Sequence, residues 1–243
     1  MNPPPKVTGE QRRRNRRGPK PSLSAVQIGK AAIGIADTAG LEAVTMQRLG
    51  KELGVTTMAL YRYFRSKTDL LAVMIETAGG PAPDFGGAAG SWKHRLRQWS
   101  RRCLEIYVHH PWFLEATTMR ETGIGANELS WMETALAILA EAGLSPDECY
   151  YAFMAVLGHV RGYATFERVK THCASPRQWL QELKRMLDSE PTRHPTLETV
   201  VASGALSGDR SSAFDFGLMC IIDGIGTSRR LGGPRARKSV PVD

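Results

Sequence analysis

The amino-acid sequence predicts an all-α protein in two parts, and three observations support that prediction. Apolar residues recur at helical spacing along most of the chain, and no convincing alternating pattern of a β-strand is present. Capping residues and glycines mark the starts and ends of several short helices between residues 23 and 78. Residues 79–91 then interrupt the pattern with glycine and proline, which predicts a hinge or domain boundary before a second helical domain over 92–230.

The composition narrows the class of protein. The chain has 243 residues, 42% of them hydrophobic, which is typical of a globular protein of one or two domains. No apolar run approaches the ~20 residues of a membrane-spanning helix, and the N-terminus lacks the apolar segment of a signal peptide. We therefore expect a cytoplasmic protein without a membrane partner. The four cysteines contain no CxxC pair, which excludes the common zinc spacings and predicts reduced, mostly buried thiols.

Positive charge is concentrated at the two ends of the chain. Residues 1–80 hold 13 basic against six acidic residues, and residues 229–243 hold five against one, whereas residues 81–228 are slightly acidic. This distribution fits an N-terminal segment that meets a polyanion, and it equally fits a soluble surface with a flexible basic tail. Residues 1–22 are predicted to be a disordered basic arm, and residues 231–243 a flexible tail. The arm either enters a DNA minor groove or adds nonspecific attraction, and the sequence leaves both open.

The first predicted helix has a complete start signal. Ser24 can cap it, Gln27 can return the hydrogen bond, and Leu23 can pack on Ile28 as a hydrophobic staple. Gly40 is predicted to end the helix in the left-handed conformation that glycine tolerates.

Three further short helices follow, and two of them form a predicted helix-turn-helix. Thr45–Leu53, the turn Gly54-Val55 and Thr56–Phe64 give two helices joined by a glycine-containing turn. The second helix is short enough to lie in a DNA major groove. Ser66 then caps a fourth helix.

The second helix of this motif carries side chains suited to DNA. Threonine, tyrosine and lysine can hydrogen-bond phosphate, especially beside the free N–H groups of a helix N-terminus. The predicted phosphate contacts are Thr45, Thr56, Tyr61, Tyr63 and Lys67. Arginine can reach guanine, and methyl groups can touch thymine. The predicted base contacts are Gln47, Thr57, Met58, Ala59 and Arg62. Leu60 and Phe64 are assigned to the core, and the alternative for the two tyrosines is a half-buried surface position.

The rest of the chain is predicted to be helical. The predicted segments lie near 91–109, 111–120, 126–143, 145–171, 175–188, 194–205 and 211–229. Ser145 and Ser175 each begin a capping box with proline at the first helical position. His109 and His110 are adjacent and cannot share one helical face, so we predict a helix end there rather than a metal site. No Ser-His-Asp arrangement, HExxH or phosphate loop is present, so we predict neither an enzyme nor a bound cofactor.

Residues 23–78 resemble the DNA-binding domain of the tetracycline-repressor (TetR) family, through VTMQRLGKELGVTTMALYRYFRSKTDLLAVM. Most of residues 92–227 is similar to the C-terminal domain of the tetracycline repressor, through HPWFLEAT, TGIGANELSWMETALAILAEAGLSPDE, VLGHVRGYATFE and FDFGLMCIIDGI. The resemblance implies a homodimer, two recognition helices and a small-molecule cavity in each C-terminal half. It also implies a four-helix dimer interface, built from the last helix and the long helix after Ser145.

The function implied is that of a ligand-responsive homodimeric repressor. An unknown small-molecule effector would release it from a palindromic double-stranded DNA operator by tilting the segment Ser66–Ala78. The alternative is a helix-turn-helix regulator without a small ligand, controlled by a protein partner. A cavity of ~300 Å³ or more would favour the first hypothesis. The candidate cavity residues are Trp112, Phe113, Met119, Asn127, Trp131, His159 and Tyr163. A hydrogen-bonded core histidine is the alternative for His159.

Overall fold

A computed structural model describes residues 23–85, 90–119, 123–169, 176–189, 194–207 and 210–228. Every regular element in those ranges is a helix, so the all-α prediction is confirmed. The α-helices are α1 (Ala25–Ala39), α2 (Met46–Leu53), α3 (Thr57–Tyr61), α4 (Lys67–Gly79), α5 (Trp92–His109), α6 (Pro111–Met119), α7 (Ala126–Ala140), α8 (Pro146–Val169), α9 (Pro176–Ser189), α10 (Pro195–Ala202) and α11 (Arg210–Ser228). The predicted arm, the predicted tail and Ser175 lie outside the described residues.

The helices α1 to α4, here called the head, each begin at a cap from their own sequence. Ser24 Oγ accepts from the Gln27 amide at 3.2 Å while Gln27 Oε1 accepts from the Ser24 amide at 2.9 Å, as predicted. The hydroxyls of Thr45, Thr56 and Ser66 each accept from the amide three residues later. Each such cap contributes about 1 kcal/mol to stability.

The turn of the helix-turn-helix depends on two glycines. Gly54 has φ 66° and ψ 32°, the left-handed conformation, and so ends α2 where predicted. The Val55 amide donates to the Gly50 carbonyl at 2.9 Å, and a Cβ at Gly50 would lie 2.8 Å from the Val55 carbonyl oxygen. The chain can therefore double back this closely only because residue 50 has no side chain.

Three local details differ from the predictions. The helix α3 ends at Tyr61 rather than Phe64, because the chain turns over the next residues to reach the cap of α4. Gly40 has a positive φ of 82° but a ψ of 165°, so it ends α1 in a positive-φ conformation outside the left-handed helical region. A 3₁₀-helix at Leu41–Ala43 follows it and was not predicted.

The remaining helices form the body, in which α5 and α8 pack together at the centre. Trp99 on α5 is 2% exposed, and its indole N–H donates to the Trp131 carbonyl at 3.0 Å. One apolar face of α11 packs against α8 and α5, with Phe214, Leu218 and Ile222 buried. Within the described ranges, no helix has the length and apolarity needed to span a bilayer.

The cysteine prediction is confirmed in part. Cys103 and Cys149 are free and buried, whereas Cys220 is free and exposed. Burial raises the pKa of the Cys103 thiol well above its ordinary value, and the nearby positive charge of Arg161 offsets this only partly. Cys103 is therefore an uncharged thiol near neutral pH. Cys173 lies outside the described residues.

Candidate functional site

The helix α3 buries one face and exposes the other. Leu60 is fully buried and Phe64 is 2% exposed, as predicted, whereas Met58 is 74% exposed. Of the other predicted base contacts, Gln47 and Arg62 are exposed, and Thr57 and Ala59 are partly exposed. Because Met58 is largely exposed and Leu60, two residues later, is fully buried, α3 packs against the head through one face and leaves the other face accessible.

Two of the predicted phosphate contacts keep a donor available. Thr45 and Thr56 are exposed, and their hydroxyl oxygens accept the capping bonds described above. A hydroxyl that accepts through a lone pair still holds its proton, so each can cap its helix and donate to a phosphate at once. Tyr61 and Lys67 are exposed on the same short stretch of chain.

Tyr63 is arranged differently from the other predicted phosphate contacts. Its side chain is 45% exposed, but its hydroxyl donates to the Leu23 carbonyl at 2.6 Å. A tyrosine hydroxyl has one proton, so Tyr63 could donate to a phosphate only by releasing this bond. This bond fastens the segment after α3 to the residue just before the cap of α1.

A cavity of about 480 Å³ is lined by residues of α4 of the head and of α5, α6, α7 and α8 of the body. It exceeds the ~300 Å³ at which ligand pockets begin. Its aromatic lining residues are Trp99, Tyr107, Phe113, Trp131, Tyr150 and Phe153. Its polar lining residues include Glu76, Thr117, Asn127, Glu128 and Arg161.

The structure divides the predicted cavity residues into two groups. Phe113, Asn127 and Trp131 line the cavity, whereas Trp112, His159 and Tyr163 do not. The side chain of Met119 lies outside the part of the chain that the structure describes.

The prediction that Trp112, His159 and Tyr163 line the cavity is therefore corrected, because their side chains contact other parts of the protein. His159 Nε2 lies 2.9 Å from the Phe214 carbonyl oxygen, and the rings of His159 and Tyr163 pack on the Phe214 ring. These two residues occupy the face of α8 that meets α11, so His159 is the hydrogen-bonded core histidine of the alternative prediction. The Trp112 indole N–H instead donates to Asp37 Oδ1 at 2.7 Å, toward the head.

Sequence reasoning missed the main cavity residues of α8. Tyr150, Phe153, Leu157 and Arg161 recur every three or four residues and form the face of α8 that lines the cavity. The period was visible in the sequence. It could not show which of two apolar faces meets α11 and which meets the cavity.

Two polar contacts join the head to the walls of the cavity. On one side, Asp37 Oδ1 of α1 accepts from Trp112 and lies 2.8 Å from His110 Nδ1, at the start of α6. On the other side, the Glu76 carboxylate of α4 accepts from the Asn127 amide at 3.0 Å, at the first turn of α7. Both α6 and α7 also line the cavity, so each contact links a head helix to a cavity wall.

The Glu76 contact replaces a local cap. Gly125 precedes α7 and has no side chain to cap it, and a Cβ there would overlap the Glu76 carboxylate. The Asn127 side chain donates back to the Glu76 carbonyl at 2.9 Å. Trp131 adds a bond from its indole N–H to the Gly80 carbonyl at 3.1 Å. The negative carboxylate thus sits at the positive end of the α7 dipole and fixes the end of α4 against it.

Comparison with known proteins decides the family. Residues 28–74 match the family described as bacterial regulatory proteins, tetR family, and residues 81–229 match the tetracyclin repressor-like C-terminal domain. The HTH-type transcriptional repressor DrrR1 of Streptomyces coeruleorubidus is 35% identical over 231 residues, covering 88% of this chain and 81% of that protein. The chain belongs to the TetR family.

Other TetR-family members match over similar lengths. The HTH-type transcriptional repressor Rv1353c of Mycobacterium tuberculosis is 29% identical, over 90% of this chain and 85% of that protein. The crystal structure of ActR from Streptomyces coelicolor in complex with actinorhodin has the same fold, with a TM-score of 0.74 at 23% identity, over 86% of this chain and 98% of that one.

Membership of the TetR family establishes the class of activity. The chain is a DNA-binding transcriptional repressor and not an enzyme, because the family and these relatives are transcriptional regulators. Within the described residues, no group of three or more metal-ligating side chains is found. The exposed face of α3 is thus the candidate DNA-binding surface, and the cavity is the candidate site for an effector.

Proposed function

We propose that this repressor binds a palindromic operator as a homodimer and releases it when a small molecule enters the body cavity. The observation that carries the proposal is the position of Glu76. It lies on α4, which directly follows the recognition region, it lines the cavity, and it caps α7 across the head–body boundary. A ligand that displaces Glu76 or α7 therefore acts on the helix that positions α3.

The exposed apolar face of the body supports a dimer. Tyr151 and Phe166 on α8 are each 66% exposed, and Phe216 on α11 is 74% exposed. Between the two exposed aromatic residues, α8 exposes Gly158 and Gly162, where an added Cβ would meet nothing within 4 Å. Large side chains flanking a stripe of small ones allow helices to approach closely. The same two helices of a second copy would cover this face as a four-helix interface.

A dimer also supplies what one short helix lacks. A single α3 makes too few base contacts for genomic specificity, and two copies related by a two-fold axis read two half-sites about 34–36 Å apart. That separation depends on the tilt of α4. Shifting the heads from mostly bound to mostly released needs about 5.5 kcal/mol of difference in ligand affinity between the two states. The cavity of about 480 Å³ favours this proposal over the alternative, control by a protein partner.

The DNA-binding assignment is tested with two substitutions on an operator selected from random duplexes. Arg62→Ala is expected to cost about 1–3 kcal/mol and to relax the preference at one base pair, because arginine reads guanine directly. Lys67→Ala is expected to weaken selected and random duplexes alike and to reduce the salt dependence. Fluorescence anisotropy titrations measure both. Equal effects of the two substitutions on selected and random duplexes would contradict the assignment.

The effector hypothesis is tested by linkage. Compounds that raise the melting temperature of the protein are titrated against the protein–operator complex. We expect that at least one compound lowers operator affinity, and that operator lowers the affinity for that compound by the same factor. Compounds that bind in the cavity and leave operator affinity unchanged would contradict the hypothesis.

A further inference from the structure

One cationic side chain is found among the described residues that line the cavity, and its surroundings differ from those of two other arginines of the body. Arg161 of α8 lines the cavity, is partly buried and makes no ion pair with any described residue. By contrast, Arg95 pairs with Glu141, and Arg101 pairs with Asp215. Arginine stays charged at every pH that a protein experiences. The cavity wall therefore carries a fixed positive charge that is paired with no carboxylate of the described residues.

Tyr107 adds a second donor next to this charge. Arg161 Nε donates to the Tyr107 hydroxyl oxygen at 3.3 Å. The hydroxyl accepts that bond, and its own proton makes no hydrogen bond to a described residue. The four remaining N–H donors of Arg161 are likewise unused within the described ranges. Two neighbouring side chains thus offer several unused donors and no unused acidic acceptor.

The two carboxylates among the described lining residues make no ion pair with Arg161. Glu76 of α4 accepts from the amides at the start of α7, and Glu128 lies in the first turn of α7. Arg161 and Tyr107 belong to two other helices, α8 and α5. Within the described ranges, the cation of the cavity is therefore not paired with either carboxylate of its wall.

The remaining walls indicate the shape of the occupant. The face of α8 that lines the cavity runs from Tyr150 to Arg161, about 16 Å along the helix axis at 1.5 Å per residue. The Trp99 ring meets Phe153 edge-on at 6.0 Å, and the Tyr107 ring meets Phe113 edge-on at 5.7 Å. Aromatic walls of this kind pack well against flat conjugated rings.

We propose that the effector is a flat aromatic monoacid, whose carboxylate is bound by Arg161 and the Tyr107 hydroxyl. A carboxylate matches the planar guanidinium in a two-point contact, and one negative charge balances the one cation of this site. This proposal rests on the proposed effector cavity and adds the chemical class of the ligand and the two residues that select it.

The test compares anthracene-2-carboxylic acid with its neutral analogue anthracene-2-carboxamide at pH 7.5. Quenching of the fluorescence of the cavity tryptophans measures the affinity of each probe for the full-length protein. The wild-type protein is expected to bind the acid about tenfold or more tightly than the amide, which is the size of a hydrogen bond to a charged group. Arg161→Gln is expected to abolish this preference, and Arg161→Lys to keep part of it.

Two further variants make the result specific. Tyr107→Phe is expected to reduce the preference about threefold or more, because it removes one donor and keeps the ring. Arg185→Gln, an exposed arginine on α9 paired with Glu182, is the matched control and should leave it unchanged. If Arg161→Gln fails to fold by circular dichroism, Tyr107→Phe and Arg161→Lys decide the question.

The outcomes separate this proposal from the proposed function. Equal binding of acid and amide by the wild-type protein would overturn the anion site and leave the effector cavity standing. Binding of neither probe would overturn the proposed ligand class. Preferential binding of the acid without any loss of operator affinity would support the anion site and contradict the proposed release mechanism.

Discussion

The helices of the head and helix α7 of the body begin in different ways, although α5 and α8 of the body also have local caps, at Ser91 and Ser145. In the head, Thr45, Thr56 and Ser66 each cap the helix that follows them, three residues from the amide they bind. In the body, α7 begins at Gly125 and is capped by Glu76, which lies 51 residues from Asn127 in the chain. Because each of these capping bonds lies within the head, all of them can be kept when the head moves as a unit. The cap of α7 depends on the position of α4, so we expect a change at the cavity to be transmitted to α4.

The largest effect on stability is expected from Gly50→Ala, which disrupts the turn of the helix-turn-helix in the head. Its Cβ would meet the Val55 carbonyl oxygen, a backbone atom that cannot rotate away. We expect a loss of about 3 kcal/mol of unfolding free energy and of operator binding. The matched control is Gly34→Ala on α1, where a Cβ meets nothing within 4 Å; it should stabilise the protein by about 0.5–1 kcal/mol. Urea unfolding measures both, and equal values would show that the turn is not this tight.

Gly125→Ala disrupts the contact between Glu76 of α4 and the start of α7. A Cβ at residue 125 would force the Glu76 carboxylate away from the amides it caps. We expect a loss of about 2–3 kcal/mol in urea unfolding, whereas the control Gly123→Ala, where a Cβ meets open space, should change little. A Gly125→Ala protein as stable as Gly123→Ala would mean that the carboxylate is easily displaced.

Glu76→Ala removes the same cap from its other side. The expected loss is about 2 kcal/mol, typical of a hydrogen-bonded charge at a helix N-terminus, and Glu76→Gln should lose less. Because Gly125→Ala already displaces this carboxylate, the two substitutions should not be additive. A double-mutant cycle by urea unfolding measures the coupling. Strict additivity would indicate that Gly125 and Glu76 act independently.

Thr56→Ala should have the smallest effect on stability. It removes one local cap from α3, with an expected cost of about 1 kcal/mol. Thr56→Ser is the control, because serine keeps the hydroxyl. Thermal unfolding measures stability, and a loss above that of Glu76→Ala would contradict the view that the head relies on several small local contacts.

The same contrast explains how much the sequence could predict. The cap of α1 was predictable because Ser24 and Gln27 lie three residues apart. The turn was predictable because glycine at residue 54 adopts the left-handed conformation that ends a helix. The contact of Glu76 with α7 has no local signal. Gly125 gave no reason to look for a cap elsewhere, since a glycine at a helix start is common.

The residues that line the cavity were also only partly predictable from the sequence. The helical period of α8 could be recognised, but His159 and Arg161 lie two residues apart on opposite sides of that helix. Choosing between them requires knowing which neighbouring helix each side meets. That choice depends on contacts between residues far apart in the chain, which the pattern of one helix does not encode.

We propose that Glu76 holds the recognition helices in register with the cavity walls. Spin-label distance measurements between the two heads of the proposed dimer, made without DNA, test this role. The labels are placed by Arg62→Cys in a background where Cys173 and Cys220 are serine, with and without Glu76→Ala. We expect one narrow distance distribution in the parent and a clearly broader one with Glu76→Ala, while Thr56→Ala keeps the parent width. Equal widths in the parent and Glu76→Ala proteins would contradict the claim.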